Sequence, residues 1–346
     1  MRRYTGLIIA TGLAGCSFLS NSQNIPGPSA ASRALPLTDC SKMACIYIAN
    51  GGTSSIAPTV TVYAASATGN AAPIRTIAGS KTKLSAPEGI AVDASRKIYV
   101  TNDTPSVTVY AAGASGNAAP AQDITGSKTL LDNPHGIALD SADNVYVDNI
   151  ADPVSVPASI SVYAAGASGN VAPIQDISGS NTQLNGVTGV ATNSGGTIFA
   201  GNSDPGKITI YAAGATGNVK PVRSISGSKT QLNGLAGVAL DATGKVYVVQ
   251  TEASVSSVLV FGSKASGNVK PLTAISGSKT GLTFPSGIAV DSAGKIYVSN
   301  AFVSCECPNN GSVVVFATGS SGNVAPSQVI KGSSTQLDGS FGIAVR

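Results

Sequence analysis

The chain has 346 residues, of which 42% are hydrophobic and 11% charged, and its formal net charge is +4. It contains 40 glycines and no tryptophan. Lysine and arginine form no dense run, so we expect no nucleic-acid partner, because phosphate binding requires concentrated positive charge. Beyond the first residues, no apolar stretch is long enough for a membrane-spanning helix. The composition is typical of a soluble, β-rich body.

The first segment, residues 1–15, has the pattern of a signal peptide. Arg2 and Arg3 precede the short apolar run Leu7-Ile8-Ile9-Ala10, and small residues lead to Leu13-Ala14-Gly15-Cys16. These last four residues resemble the lipobox of bacterial lipoproteins. The resemblance implies cleavage before Cys16, lipidation of Cys16 with palmitate among the acyl groups, and anchoring to a membrane of the cell envelope, the outer membrane if the organism is diderm.

Residues 16–44 are rich in Ser, Ala and Pro and are predicted to form a flexible tether. The stretch of about 24 residues between Cys16 and Cys40 has a root-mean-square reach of roughly 25–30 Å. That reach is sufficient to hold a domain clear of the lipid headgroups.

Four cysteines remain besides Cys16, namely Cys40, Cys45, Cys305 and Cys307. An even number in an oxidising compartment predicts two disulfides, for which three connectivities exist. The alternative is a zinc site made from Cys45, Cys305 and Cys307. The sequence does not choose between the pairings.

From residue 45 onward one unit occurs six times, and a Gly-Asn pair marks each copy. The asparagines of these pairs are Asn70, Asn117, Asn170, Asn218, Asn268 and Asn323. Each asparagine is followed 19 positions later by a glycine: Gly89, Gly136, Gly189, Gly237, Gly287 and Gly342. The first five glycines are followed 10 positions later by an aromatic residue: Tyr99, Tyr146, Phe199, Tyr247 and Tyr297. All differences in repeat length therefore fall after the aromatic segment.

Each repeat contains four short β-branched runs separated by turn residues, which predicts a four-stranded propeller blade. In one copy the predicted strands, named A to D from the axis outward, are 89–92, 98–101, 107–110 and 121–124. The first strand, 46–49, has the pattern of a strand B, and the last segment, 341–346, that of a strand A. We therefore predict an all-β, six-bladed propeller over residues 45–346, in which the C-terminal strand completes the blade of the N-terminal strands.

The segments Ile98-Tyr99-Val100-Thr101-Asn102 and Pro87-Glu88-Gly89-Ile90-Ala91-Val92-Asp93 resemble the NHL and YVTN repeats of β-propellers. The resemblance covers residues 46–346 and implies the propeller fold. It does not imply one activity, because that broad group contains lactonases, lyases, receptor ectodomains and interaction scaffolds.

The variable loops are expected on the face that the D–A and B–C connections share. They include residues 148–158 and 300–311, and variable loops on a constant scaffold are where binding sites usually lie. The residue before each strand A glycine is expected at the mouth of the central channel on this face. These residues are Glu88, His135, Thr188, Ala236, Ser286 and Phe341.

Glu88 and His135 occupy equivalent positions in adjacent blades. A carboxylate beside an imidazole is suited to binding a metal or to general acid–base catalysis. Streptogramin lyases, which the chain also resembles in fold, use His and Glu near the mouth, but His135 is the only histidine here, which excludes a three-His zinc centre. The structural alternative is that both are solvated loop residues.

Two further sets of polar residues recur. Strand B ends on an amide in every repeat: Asn50, Asn102, Asn149, Asn202, Gln250 and Asn300. These amides either form a polar ring at the mouth or bond their own loops, and we favour the second interpretation. Aspartates follow strand A in four repeats and are expected to start tight turns: Asp93, Asp140, Asp241 and Asp291.

Titratable groups are scarce, and the sequence has neither a nucleotide-binding glycine loop nor a Gly-x-Ser-x-Gly elbow. The favoured hypothesis is therefore a non-enzymatic, monomeric scaffold without a cofactor, which binds a protein or glycan through the variable face. The alternative is a metal-assisted lactonase or lyase that uses a divalent ion with Glu88 and His135. A purely structural spacer is the third hypothesis.

Overall fold

The computed structural model describes residues 40–52, 56–150, 157–251, 256–301 and 311–346. In this part of the chain, 24 strands form six antiparallel sheets of four strands each, and the one helical element is a short 3₁₀ turn at Ser180–Thr182. The all-β, six-bladed prediction is confirmed. None of the described residues belongs to a helix with the length and apolar character needed to cross a membrane. The predicted signal peptide, Cys16 and nearly all of the tether lie outside the described residues.

The strands of each blade follow one another in the chain. The innermost strands, A, are β4 (Pro87–Val92), β8 (Pro134–Leu139), β12 (Val187–Thr192), β16 (Leu235–Leu240), β20 (Pro285–Val290) and β24 (Ser340–Val345). The B strands are β1 (Cys45–Asn50), β5 (Ile98–Asn102), β9 (Val145–Asn149), β13 (Ile198–Asn202), β17 (Val246–Gln250) and β21 (Ile296–Asn300). The C strands are β2 (Thr59–Ala64), β6 (Ser106–Tyr110), β10 (Ser159–Tyr163), β14 (Lys207–Tyr211), β18 (Ser257–Phe261) and β22 (Ser312–Phe316). The outermost strands, D, are β3 (Arg75–Ile77), β7 (Gln122–Thr125), β11 (Gln175–Ser178), β15 (Arg223–Ser226), β19 (Thr273–Ser276) and β23 (Gln328–Ile330).

Blade 1 is closed by the two ends of the described chain, as predicted. Its sheet has the order β24-β1-β2-β3, and Ile46 pairs with Val345. Blades 2 to 6 then follow in chain order, each beginning with its A strand. This closure gives the inner edge of β1 a hydrogen-bonded partner.

A disulfide joins Cys40 to Cys45 immediately before β1. This is one of the two disulfides that the cysteine count predicts, and Cys305 and Cys307 lie outside the described residues. The alternative zinc site is wrong in its use of Cys45, because a sulfur bonded to Cys40 is not available as the thiolate that zinc requires.

The core lies in the wedges between neighbouring blades. One cluster, for example, packs Val107 and Val109 of blade 2 against Ile137 and Val147 of blade 3. The B strands are buried along their whole length, while the A strands approach one another closely around the axis. A Cβ on Gly89 would lie well inside the van der Waals contact distance from the His135 carbonyl oxygen in the next blade, so glycine is required there.

The Gly-Asn pairs protect the outer edges of the blades, a role that we did not predict from the sequence. Gly116 of blade 2 forms a parallel bridge with Ile77 of β3, and the Asn117 side-chain oxygen accepts a hydrogen bond from the Lys81 backbone N–H at 2.7 Å. The same bridge occurs at all six blade junctions. Each C–D connection therefore covers the exposed edge of the preceding strand D.

Candidate functional site

The central channel opens on the face where the A strands begin. The first residue of each A strand pairs with the amide at the end of strand B, as Pro134 does with Asn149, so the B–C connections leave the sheet on this face. A cavity of about 70 Å³ is lined by the strand A glycines and by the six residues that precede them: Glu88, His135, Thr188, Ala236, Ser286 and Phe341. The predicted position of these residues is confirmed.

Two of the mouth residues donate their hydroxyl hydrogens to the next blade. The Thr188 hydroxyl donates to the Leu235 carbonyl at 2.6 Å, and the Ser286 hydroxyl donates to the Ser340 carbonyl at 2.7 Å. These bonds hold the innermost strands together around the axis.

The structure brings Glu88 and His135 together at the mouth. His135 Nε2 lies 3.8 Å from Glu88 Oε2, and each side chain is about one quarter exposed, at 24% and 23%. Burial, with a smaller contribution from the negative charge of Asp103, raises the pKa of Glu88 to about 7. Burial lowers the pKa of His135 to about 4. Near neutral pH the imidazole is therefore uncharged, and Glu88 exchanges a proton in the range that acid–base chemistry needs.

The strand B amides hold the loops of their own blades together. Asn102 Oδ1 accepts a hydrogen bond from the Ser85 N–H at 3.1 Å, and Asn102 Nδ2 donates to Thr108 Oγ1 at 3.2 Å. The same backbone hydrogen bond from the D–A connection is accepted by each of the remaining strand B amides: Asn50, Asn149, Asn202, Gln250 and Asn300. The structural interpretation is confirmed, although the bonded loop is the one before strand A and not the one after strand B.

The aspartates after strand A cap their turns, as predicted. Asp140 Oδ1 accepts from the N–H groups of Ala142 and Asn144 at 2.9 and 3.0 Å, and the Tyr146 hydroxyl donates to Asp140 Oδ2 at 3.0 Å. Asp93, Asp241 and Asp291 also bond their own turns and the tyrosine that follows. These carboxylates are fully engaged in local structure.

No three His, Cys, Asp or Glu side chains come together as a metal-binding group among the described residues. The divalent ion of the alternative hypothesis would therefore have to be held by Glu88 and His135 with oxygen atoms of other kinds. These two residues supply one carboxylate and one imidazole, which is fewer protein ligands than catalytic zinc sites have.

Asp148 is a buried polar residue, although it was predicted at the start of a variable loop. It lies instead inside β9, is completely buried, and accepts a hydrogen bond from the Gly136 N–H at 2.7 Å. A signal was present, because Asp148 is the one charged residue at this position of the repeat, where the other copies have Ala49, Thr101, Gly201, Val249 and Ser299.

Comparisons with known proteins show the fold and no family. No family model matches the chain, and no curated protein matches its sequence. The WD40 β-propeller domain of Doa1 is 12% identical, with 82% of this chain and 81% of that chain covered and a TM-score of 0.50. The PQQ-bound aldose sugar dehydrogenase from Streptomyces coelicolor is 16% identical, with 74% and 85% covered and a TM-score of 0.52. Likenesses at this level of identity show the fold alone and do not indicate an activity.

Proposed function

We propose that this protein is a lipid-anchored lipoprotein of the cell envelope whose propeller binds a protein or glycan partner through the face around the channel mouth. The observation that carries this proposal is the distribution of loop lengths. The A–B turns have the same length in blades 2 to 6, whereas the B–C connections range from residues 103–105 to residues 301–311. A scaffold that varies only the loops around one opening is suited to recognising a partner there.

The chemistry of the site favours binding over catalysis. Most polar groups around the mouth bond to the protein itself, including the strand B amides and the hydroxyls of Thr188 and Ser286. Catalytic sites normally gather several charged groups around the reacting atoms. Here the mouth contributes one carboxylate and one imidazole, Glu88 and His135.

The proposal is tested by replacing the longer B–C connection of blade 3, residues 150–158, with the three-residue connection of blade 2, Asp103-Thr104-Pro105. The matched control is Lys220→Ala in the C–D connection of blade 4, on the opposite face. We expect saturable binding of the labelled protein to its own envelope fraction to be lost in the loop variant and kept in the control. Equal binding by both variants would show that the mouth face is not the binding surface, and the absence of any saturable binding would favour the spacer hypothesis.

Protein and glycan partners are distinguished with the same assay. Digestion of the envelope fraction with protease abolishes binding to a protein and leaves binding to a glycan. Treatment with periodate has the opposite effect. Either result identifies the class of partner.

Anchoring through Cys16 is tested by Cys16→Ser. We expect the wild-type protein to incorporate labelled palmitate and to sediment with membranes. The variant should do neither. A variant that still sediments after a carbonate wash would contradict lipid anchoring at this cysteine.

A metal-assisted lactonase or lyase remains the second candidate function, because Glu88 and His135 meet at the mouth and the pKa of Glu88 is near 7. Elemental mass spectrometry after dialysis without chelator measures any retained metal. About one divalent ion per chain, lost in both Glu88→Ala and His135→Ala, would favour the enzyme. A metal content that these substitutions do not change would remove it.

A further inference from the structure

At two junctions between neighbouring blades, the innermost strands are linked by a hydroxyl from the residue just before the strand B amide. In blade 2, Thr101 Oγ1 accepts a hydrogen bond from the Gly89 N–H at 2.8 Å and donates one to the His135 carbonyl of blade 3 at 2.6 Å. In blade 6, Ser299 Oγ donates to the Phe341 carbonyl of blade 1 at 2.6 Å. Both hydroxyls stand just before the strand B amide, and each needs a proton to donate across the junction.

Asp148 occupies the same position in blade 3. Its Oδ1 accepts a hydrogen bond from the Gly136 N–H at 2.7 Å, while its buried Oδ2 has no partner among the described residues. A Cβ built on Gly136 would lie 2.6 Å from this Oδ2 and 3.0 Å from Gly189 Cα of blade 4. The unpartnered oxygen therefore lies at the gap between β8 and β12, where the other two junctions have a donor.

Ionised Asp148 would be poorly accommodated in this gap. A carboxylate accepts hydrogen bonds but cannot donate one, and a buried charge without a cation is costly. On β8, His135 is uncharged near neutral pH because burial lowers its pKa to about 4. On β10, the paired residue is the apolar Ile160, and on β12 the residues closest to Gly136 are the uncharged Gly189 and Val190.

Burial is the largest influence on Asp148 and raises its pKa to about 7. The backbone N–H groups of Gly136 and His135 act in the opposite direction and are outweighed. No neighbouring charge among the described residues contributes to the pKa of Asp148. This agrees with the geometry, in which Oδ1 accepts a hydrogen bond from the residue's own blade and Oδ2 lies beside the backbone of β12 in the next blade.

We propose that Asp148 is a protonated carboxylic acid in the folded protein, that its Oδ2 hydroxyl donates to the Thr188 carbonyl, and that its ionisation loosens the junction between blades 3 and 4. Thr188 is the residue of blade 4 that corresponds to His135 and Phe341, the acceptors at the other two junctions. Asp148 thereby makes this one junction pH-sensitive. Because β8 also carries His135, the sensitive junction lies beside the channel mouth, whatever ligand binds there.

The direction of the pH effect follows from proton linkage. Between about pH 4, where an unfolded aspartate ionises, and about pH 7, the folded protein holds one more proton at Asp148 than the unfolded chain. The stability contributed by Asp148 is complete below about pH 4 and is lost as the pH rises toward 7. Within this window the folding equilibrium constant falls by up to about tenfold per pH unit.

The experiment compares urea unfolding of the full-length wild-type protein with that of Asp148→Asn at pH 5 and pH 8. An asparagine can form both hydrogen bonds without taking up a proton from solution, since its carbonyl oxygen accepts and its NH₂ group donates. We expect similar stability at pH 5, and at pH 8 a folding constant for Asp148→Asn that exceeds that of wild type by roughly a hundredfold. Asp132→Asn, on the same face, is the control and should leave the pH dependence of wild type unchanged. Equal pH dependence of wild type and Asp148→Asn would overturn the proposal.

A second measurement on the wild-type protein covers the case in which Asp148→Asn does not fold. In protein labelled with ¹³C-aspartate, the carboxyl resonance of Asp148, assigned through its backbone connectivity, should titrate near pH 7. A resonance that titrates at or below the ordinary aspartate range would overturn the proposal. The result does not depend on whether the mouth face binds a partner.

Discussion

At the A–B turns, Asp140 accepts hydrogen bonds from two backbone N–H groups and from Tyr146. At the opposite end of the channel region, one oxygen of Asp148 has no partner within the part of the chain that the structure describes. The pKa of Asp140 is lowered, because the hydrogen bonds from Asn144, Ala142 and Tyr146 together outweigh burial, which taken alone is the largest influence and acts to raise it. Burial is not offset at the mouth, where it raises the pKa values of Glu88 and Asp148 to about 7. Asp140, which recurs with the repeat, is thus stabilised as an anion, whereas Glu88 and Asp148, which depart from it, are destabilised as anions.

The largest expected effect comes from the close approach of the innermost strands at the mouth. Gly89→Ala places a Cβ against the His135 carbonyl oxygen. Because that oxygen belongs to the backbone of β8, it cannot move away without separating blades 2 and 3. We expect a loss of about 3–5 kcal/mol in the free energy of unfolding, measured in urea.

Gly116→Ala, in a C–D connection, is the matched control for Gly89→Ala. A Cβ there would meet nothing within 4 Å, although its φ of +64° disfavours alanine. The expected cost is about 1 kcal/mol. Equal costs at the two glycines would contradict the close approach at the mouth.

Glu88→Gln tests whether the mouth destabilises anions. Because the folded protein raises the pKa of Glu88 to about 7, Glu88 binds a proton on folding between about pH 4 and 7, and its contribution to stability decreases as the pH rises through that window. We expect the variant to be more stable than wild type at pH 8 by about 2 kcal/mol and similar to it at pH 4. Unfolding curves at both pH values measure this, and a variant less stable than wild type at pH 8 would contradict it.

Asp140→Ala tests the face opposite the channel mouth, where the pH dependence of stability should have the opposite sign to that at Glu88. At pH 7 the variant loses the hydrogen bonds of the turn, with an expected cost of about 1–2 kcal/mol. Because the folded protein lowers the pKa of Asp140, the stabilisation is present above the ordinary aspartate pKa and is lost as the pH falls through the folded value. The difference between wild type and variant should therefore shrink at acidic pH.

Asp140→Asn is the control for Asp140→Ala, since blade 4 has Asn193 at this position, and Asn193 Oδ1 accepts from the N–H groups of Gly195 and Thr197 at 3.0 Å each. It should retain most of the stability at pH 7. If Asp140→Asn were as destabilised as Asp140→Ala, the charge and not the turn geometry would be the stabilising factor.

The smallest effect on stability is expected from a substitution at Tyr211, which lies between the two faces. Its hydroxyl donates to the Thr182 carbonyl, in the connection between blades 3 and 4, at 2.6 Å, while blades 5 and 6 have Phe261 and Phe316 at the same position. Tyr211→Phe should cost about 1 kcal/mol in urea unfolding. A cost above about 3 kcal/mol would show that the repeats are not equivalent here.

The architecture and the position of the mouth were predictable from the repeat spacing. The offset of 19 residues from each asparagine to each strand A glycine locates the blades, and the residue before the glycine then falls at the channel, as Glu88 and His135 do. The strand pattern also predicted that β24 completes blade 1.

Contacts between blades were not predictable in the same way. The burial of Asp148 depends on how closely β8 and β12 approach, and the edge protection by Asn117 depends on the position of the preceding blade. The sequence pattern of one repeat predicts the strands of a blade but not the contacts of that blade with its neighbour. The partners of the strand B amides were missed for a related reason, because Asn102 reaches a backbone N–H that is 17 residues earlier in the chain.

The pairing of β1 with β24 has a consequence for the order of folding during synthesis. The inner edge of β1 has no strand to pair with until residues 340–345 have been made, although five complete blades can form before then. The last step joins the most distant segments of the described chain, and contacts of such large sequence separation form slowly. A nascent or truncated chain would therefore present an open, aggregation-prone ring to chaperones and proteases until its final strand arrives.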